Sequence, residues 1–118
     1  MRIAVAASGN DLKSEVDERF GRAPWFLIVD TETGDVEAIE NDGASQMSGA
    51  GPKAAQMIAS RSVDCLVAGH IGPNAFAALA AHGIDVITAP KKLVAEVIEE
   101  VKSGRLSPAA KPDVKGHW

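Results

Sequence analysis

The sequence has a single cysteine, Cys65, among its 118 residues. One cysteine excludes both an intramolecular disulfide framework and a cysteine-rich zinc site. No apolar stretch approaches the roughly 20 residues needed to cross a bilayer. The N-terminus passes directly from Met1-Arg2 into a short apolar run and polar sequence, which is too short for a signal peptide. We therefore expect a soluble, cytoplasmic protein with no membrane partner.

Positive charge is also scarce. The formal net charge of −4 argues against a nucleic-acid partner. The chain is 46% apolar and 24% charged, which is ordinary for a globular protein, and it is long enough for one hydrophobic core. We predict a single α/β domain over residues 1–104. Residues 105–118 contain Pro108 and Pro112 and little apolar sequence, so we expect a loosely packed tail.

Hydrophobic patterning predicts five strands and three helices. The strands are 2–7, 25–30, 36–40, 63–68 and 85–88; the helices begin at Pro52, at Pro73 and after Pro90. A short glycine-containing loop makes the second and third strands a hairpin. Alternating strands and helices then favour a mostly parallel sheet with right-handed crossovers. A helical turn within residues 11–19 is a further prediction.

Three loops, 8–24, 41–51 and 69–72, follow strands that this order makes parallel. Open α/β sheets bind ligands at the carboxyl ends of their strands, so the loops predict one site. The turn Gly69-His70-Ile71-Gly72 joins a buried strand to a helix whose first-turn N–H groups and dipole suit an anion. His70 is either a ligand or a solvated loop residue.

The other two loops supply Arg19, Arg22 and Lys53, which either complement an anionic ligand or are simply solvated. Met47 and Phe20 add soft or apolar surface. The sequence from Gly49 departs from both dinucleotide and Walker phosphate motifs, since it contains Pro52 and lacks Gly-Lys-Ser/Thr.

Catalytic arrangements are missing from the sequence. Neither paired carboxylates nor a Ser/His/Asp set is brought to this edge, and the loops carry no thiol. Cys65 lies near the start of a buried strand, where a free cysteine usually acts as a small apolar residue. We therefore predict that the protein is not an enzyme.

Four blocks of sequence resemble the dinitrogenase iron–molybdenum cofactor biosynthesis family, and the likeness covers nearly the whole chain. They are Arg2-Ile-Ala-Val, VDERFGRAPWFLIVD at 16–30, Gly-Ala-Gly-Pro-Lys at 49–53 and Ala-Gly-His-Ile-Gly-Pro-Asn-Ala at 68–75. The resemblance implies a ribonuclease H-like motif: an α/β fold with a five-stranded mixed sheet of order 3-2-1-4-5. Strand 2 would be antiparallel to its neighbours, and helices would cover both faces.

The resemblance also implies a non-enzymatic carrier of an anionic metal–sulfur cluster, of iron–molybdenum cofactor type or molybdenum–copper sulfide, bound non-covalently. Proteins that donate or accept the cluster would be its partners. Many members of the family carry His immediately before Phe-Gly, where this chain has Arg19. Arg19 could pair electrostatically with the cluster, or His70 could supply an imidazole. The alternative function is a regulatory or scaffold module that binds a protein or small anion and no cluster.

The predicted cluster-binding residues come from the three loops and the following helix starts, and His70 is the candidate metal ligand. They are Ser8, Gly9, Asn10, Arg19, Phe20, Gly21, Arg22, Met47, Gly49, Gly51, Lys53, Gly69, His70, Ile71, Gly72 and Asn74.

Overall fold

The structure is a computed structural model that describes residues 1–42 and 50–106. Its elements are β1 (Arg2–Ala7), β2 (Trp25–Asp30), β3 (Val36–Glu40), α1 (Ala50–Ala59), β4 (Cys65–Ala68), α2 (Pro73–Ala81), β5 (Asp85–Thr88) and α3 (Val94–Lys102). The type and order of the five predicted strands and the three predicted helices are confirmed. Among the described residues, every helix is too short or too polar to span a bilayer.

Three boundaries differ from the predictions. Helix α1 begins at Ala50, before Pro52, because a proline is tolerated within the first turn of a helix. Strand β4 begins at Cys65 rather than at Val63, and the Asp64 carboxylate just before it accepts a bond of 2.8 Å from the Arg2 N–H. Helix α3 begins at Val94, because the preceding residue, Leu93, pairs in extended conformation with Glu15.

The predicted helical turn at residues 11–19 is wrong beyond Ser14. The Ser14 N–H donates to the Asp11 carbonyl at 3.0 Å, closing one turn. The chain then becomes extended, and Val16 forms an antiparallel bridge with Ala7. Val16 is buried, with 1% exposure. Tertiary pairing of this short stretch therefore overrides its local helical preference.

The sheet has the order β3-β2-β1-β4-β5, as the family resemblance implied. Strand β2 is antiparallel to both β1 and β3, whereas β1, β4 and β5 are parallel. Because β3 and β1 are each antiparallel to β2, they run in the same direction. The carboxyl ends of β1, β3, β4 and β5 therefore share one edge of the sheet, which we call the carboxyl edge.

Helices cover both faces of the sheet, also as predicted. Side chains alternate along each strand, so Ala4 and Ala6 pack on one face with α1 and α2, while Ile3 and Val5 pack on the other with α3. The two helices α1 and α2 lie against the small alanine side chains of the central strand. Both helices also start at the carboxyl edge, which positions their N-termini side by side.

Phe20 fixes the long loop that follows β1. Its side chain is 0% exposed, and its ring centroid lies 5.3 Å from that of Phe26 in β2. The Phe20 N–H donates to the His70 carbonyl at 3.2 Å. Farther along, the amide of the buried Asn41 donates to the Ala23 carbonyl at 2.8 Å. The loop is therefore held by an aromatic core contact and by side-chain and backbone hydrogen bonds.

We expect Phe20→Ala to lower the free energy of unfolding by about 3–5 kcal/mol, because it leaves a cavity in a fully packed core. Urea denaturation monitored by circular dichroism measures this change. Glu18→Ala, two residues earlier at an exposed position, is the matched control and should change stability by less than about 0.5 kcal/mol. Equal losses for the two variants would contradict the anchoring role of Phe20.

Candidate functional site

The loop after β1 runs in backbone contact with the turn after β4. The Gly69 N–H donates to the Asp17 carbonyl at 3.0 Å. A Cβ atom at Gly69 would lie 2.6 Å from the Cα of Glu18. No side chain fits in this space, so glycine at position 69 allows the two loops to touch.

The same loop meets the start of α1 a few residues later. A Cβ atom at Gly21 would lie 2.7 Å from the backbone nitrogen of Gly51 and 2.9 Å from its Cα. Residues 17–21 of this loop therefore pass from the turn that precedes α2 to the start of α1. Residues 17–21, the turn after β4 and the start of α1 are thereby brought together at the carboxyl edge, whereas residues 43–49 of the predicted second loop lie outside the described residues.

Arg19 and His70 lie side by side in this arrangement. The two residues form an isolated parallel bridge, and both are exposed. The Arg19 N–H donates to the Asp17 carboxylate at 2.9 Å, which fixes the backbone at this point. Phe20 is buried in the core, whereas Arg19 is exposed and Arg22 is half-buried.

The N-termini of α1 and α2 carry no acidic residue in their first turns. Helix α2 begins after Gly72, which has no side chain that could cap the helix, and Pro73 lies in its first turn. Helix α3 differs, because it has Glu96 in its first turn, and the N–H groups of Val94 and Ala95 donate to carbonyls of the loop after β1. The two helices on the Phe20 side of the sheet therefore present positive dipole ends without acidic compensation from their own first turns.

The described residues line at least two grooves at this end of the molecule. One, of about 370 Å³, lies between the turn after β4 and the loop after β5; its lining residues are Glu18, Gly69, His70, Thr88, Ala89, Pro90 and Lys91. The other, of about 390 Å³, lies beside α1; its lining residues are Asn41, Asp42, Lys53, Gln56 and Met57. Each groove combines a cationic or imidazole side chain with a carboxylate.

Several predicted site residues occupy other positions. Ser8 bonds to Glu15, Gly9 approaches Ser14, and Asn10 lines a groove with Val36 on the α3 side of the sheet.

The side chains of Phe20 and Ile71 are both 0% exposed and belong to the core, so they do not line a ligand surface. Gly51 and Gly72 are also buried and contribute backbone, whereas Asn74 is exposed in the first turn of α2. Met47 and Gly49 lie outside the described residues.

Thr88 and Lys91 are residues that the sequence reasoning missed. They line the groove beside His70. Thr88 ends β5, and Lys91 follows it. The rule that located the other loops, a position just after a parallel strand, could have identified them as well.

Direct metal coordination has little support from the protein side chains. Within residues 1–42 and 50–106, no three His, Cys, Asp or Glu side chains converge on a point that could hold a metal ion. Cys65 is buried at the amino end of β4, far along the strand from the carboxyl edge. Burial, with help from Asp64 and Asp85, raises the pKa of its thiol to about 11. Besides the carboxylates of Asp17, Glu18 and Asp42, the described residues at the site offer backbone N–H donors, guanidinium, ammonium and one imidazole.

Comparison with known proteins associates the chain with one family. The model of the family described as dinitrogenase iron-molybdenum cofactor matches residues 1–104. An uncharacterised protein of Methanocaldococcus jannaschii is 34% identical over 109 residues, which cover 90% of this chain and 89% of that protein.

Two solved structures are similar over almost their whole length. The apo form of the orange protein from Desulfovibrio gigas is 39% identical, with a TM-score of 0.92 and 96% of each chain covered. A NifB candidate from Thermotoga, solved by NMR, is also 39% identical, with a TM-score of 0.84 and 98% of each chain covered. The similarity therefore includes the carboxyl edge as well as the core.

We expect Gly69→Ala to destabilise the protein by about 1–3 kcal/mol, because the added methyl group would overlap backbone atoms of Glu18. Gly9→Ala is the control: its Cβ would meet the Ser14 hydroxyl, a group that can rotate away, so its cost should be clearly smaller. Chemical denaturation gives both values. A Gly69→Ala variant as stable as the unmodified protein would contradict the close approach of the two loops.

Ionisation of Cys65 should make stability pH-dependent above neutrality. Below pH 9.0 the thiol is protonated in the folded and unfolded chains; between pH 9.0 and about 11 the unfolded chain ionises first. Stability should therefore fall across this range by about 1–3 kcal/mol. Cys65→Ala should lack this part of the pH dependence in denaturation curves. Identical pH profiles for the two proteins would contradict the shifted pKa.

Proposed function

Because the chain belongs to the dinitrogenase iron–molybdenum cofactor family, we propose that it is a non-enzymatic carrier of an anionic metal–sulfur cluster. The cluster contains molybdenum with iron or copper and binds at the carboxyl edge without covalent attachment. The observation that carries this proposal is the convergence of two helix N-termini, neither with an acidic residue in its own first turn, with the adjacent Arg19 and His70.

The charge of the site suits such a cargo. A metal–sulfur cluster with a sulfide exterior is a large anion whose negative charge is spread over many acceptor atoms. Backbone N–H groups at helix starts and the guanidinium groups of Arg19 and Arg22 can donate to several of these atoms at once. A protein that transfers its cargo also benefits from few metal–ligand bonds, because each such bond must be broken on release.

The ligand chemistry of the described residues points in the same direction. A cluster held by protein ligands would need converging thiolates or imidazoles, whereas the one thiol is protonated and buried in β4. His70 is the residue best placed to add a single imidazole, since it shares the edge with Arg19. Non-covalent retention therefore fits this chain better than coordination by several side chains.

Reversal of charge at the edge tests the proposal. Purified protein would be incubated with molybdate, sulfide and either an iron or a copper salt, then desalted and examined by visible absorption and elemental analysis. We expect Arg19→Glu and Arg22→Glu each to lower the retained cluster about tenfold, the loss expected when a charge-assisted hydrogen bond is removed. Lys102→Glu, which makes the same charge change at the far end of α3, should retain the cluster, as should Cys65→Ala.

The role of His70 is tested separately. His70→Gln preserves hydrogen bonding but is a poor metal ligand, so retention with an unchanged absorption spectrum would assign His70 to hydrogen bonding. Loss of the cluster or a shifted spectrum in His70→Gln would assign it to coordination. Failure of the unmodified protein to take up any of the metal and sulfide combinations would overturn the carrier function. That result would favour a regulatory or scaffold module that binds a protein or small anion.

A further inference from the structure

The outer edge of β3 is the most exposed backbone in the sheet. The sheet ends at β3 on one side and at β5 on the other. In β5, Val86 and Ile87 are buried beneath helices, whereas four of the five residues of β3 are exposed. Within residues 1–42 and 50–106, no strand pairs with the outer side of β3. As far as residues 1–42 and 50–106 are concerned, the strand is therefore uncovered on its edge and largely on both faces.

Hydrogen bonds at the two ends of the β2–β3 hairpin fix the direction of its backbone groups. The Asp30 N–H donates to the Asp35 carbonyl at 2.9 Å, and the Asn41 N–H donates to the Pro24 carbonyl at 2.9 Å. In an antiparallel pair, residues that exchange hydrogen bonds with the partner strand alternate with residues that do not. The backbone hydrogen-bonding groups of residues 35 and 41 point toward β2, so those of residues 37 and 39 point toward it as well.

The intervening residues, Val36, Ala38 and Glu40, therefore direct their N–H and carbonyl groups away from the sheet. Three donors and three acceptors form a regular row along this edge. Such a row is a template for an added strand, because every group matches the spacing of an extended chain.

An apolar groove lies beside this row on the α3 side of the sheet. Val36 and Ala38 line it together with Leu12 and Lys13, and its volume is about 480 Å³. Val36 is 41% exposed, an unusual value for a valine in a strand. An added strand would direct alternate side chains into this groove, so a β-branched residue opposite Ala38 would gain apolar contact.

Charge identifies the chemistry of the added strand. Residues 30–42 contain six acidic residues and no lysine or arginine. Glu37 is paired with Arg61 at 2.7 Å, but Asp35 precedes the strand and Glu40 ends it, and both are exposed. A second copy of β3 would bring like charges together, whereas a basic segment would be attracted to both ends of the strand.

We propose that β3 is the docking site for an extended basic segment of a partner protein, which adds to the sheet as a sixth strand. The backbone of Val36, Ala38 and Glu40 supplies the hydrogen bonds, the groove beside Leu12 takes an apolar side chain, and the acidic ends select lysine or arginine. The proposal does not depend on cluster binding, because it uses none of the residues at the Arg19–His70 pair.

Amide hydrogen exchange of the full chain, followed by NMR, tests the proposal directly. The probe is a synthetic peptide with a valine–threonine core and lysines at both ends. Without peptide, the amides of Val36, Ala38 and Glu40 should exchange rapidly and those of Glu37 and Ile39 slowly. The basic peptide should slow exchange at the first three positions at least about tenfold at saturation. A peptide with glutamates in place of the lysines should give no protection.

Two variants separate the backbone contribution from the charge contribution. Ala38→Pro removes an outward N–H without removing a bond to β2, a position where an edge strand tolerates proline, and it should abolish peptide binding. Glu40→Lys should weaken binding about fivefold, the effect of a surface charge pair. Glu99→Lys makes the same charge change on α3 and is the control that should bind like the unmodified protein.

Three results would overturn the proposal. Equal protection by the acidic peptide would remove the basis for a basic partner. Slow exchange at Val36, Ala38 and Glu40 in the monomer without peptide would show that the chain covers its own edge. Concentration-dependent protection with a dimer in sedimentation would assign the edge to a second copy of the chain instead.

Discussion

The burial of Phe20 is the constraint on which the arrangement of the carboxyl edge depends. Its ring packs against Phe26 inside the core, although it belongs to a long polar loop. To reach that position, the loop must run directly over the turn after β4 and against the start of α1. Glycine at positions 69 and 21 makes both approaches possible, since no side chain fits there. The packing of Phe20 and the two glycines together allow the loop after β1, the turn after β4 and the start of α1 to meet.

The helix N-termini on the two faces of the sheet differ in their acidic residues and hydrogen-bond acceptors. On the α3 side, the loop after β1 supplies carbonyl acceptors to Val94 and Ala95, and Glu96 offsets the dipole. On the other side, α1 and α2 have no acidic residue in the first turn, and Arg19 and His70 lie next to the turn that opens α2. A guanidinium, an imidazole and the start of a helix therefore lie together on one side of this edge, in a chain whose net charge is −4. This local asymmetry supports an anionic cargo more directly than the overall composition does.

The two proposed surfaces are adjacent in the fold but differ in chemistry. Strand β3 ends at the carboxyl edge, and Asn41, which follows it, donates to the loop that carries Phe20. A partner strand on β3 would thus lie next to the segment that positions Arg19 and Arg22. The cationic edge and the acidic strand would select opposite charges, so an anionic cargo and a basic partner segment would not compete for the same residues.

The sequence by itself determined the strands, the helices, their order and the edge at which the loops meet. These features follow from short-range patterns: apolar runs, alternation, helix-start prolines and the fixed relation between parallel strands and their carboxyl ends. The family motifs added the strand order, which the periodicity alone left open.

The tertiary structure decided which loop residues reach the site. The sequence pattern predicted Phe20 as apolar surface, whereas its side chain lies in the core, because a pattern in the chain does not record which side chains of a loop turn inward. That choice is made by long-range contacts: the packing of Phe20 on Phe26, the bridge of Val16 with Ala7, and the close approach of Gly21 to Gly51. These contacts join residues 6 to 30 positions apart, so no local signal could have specified them.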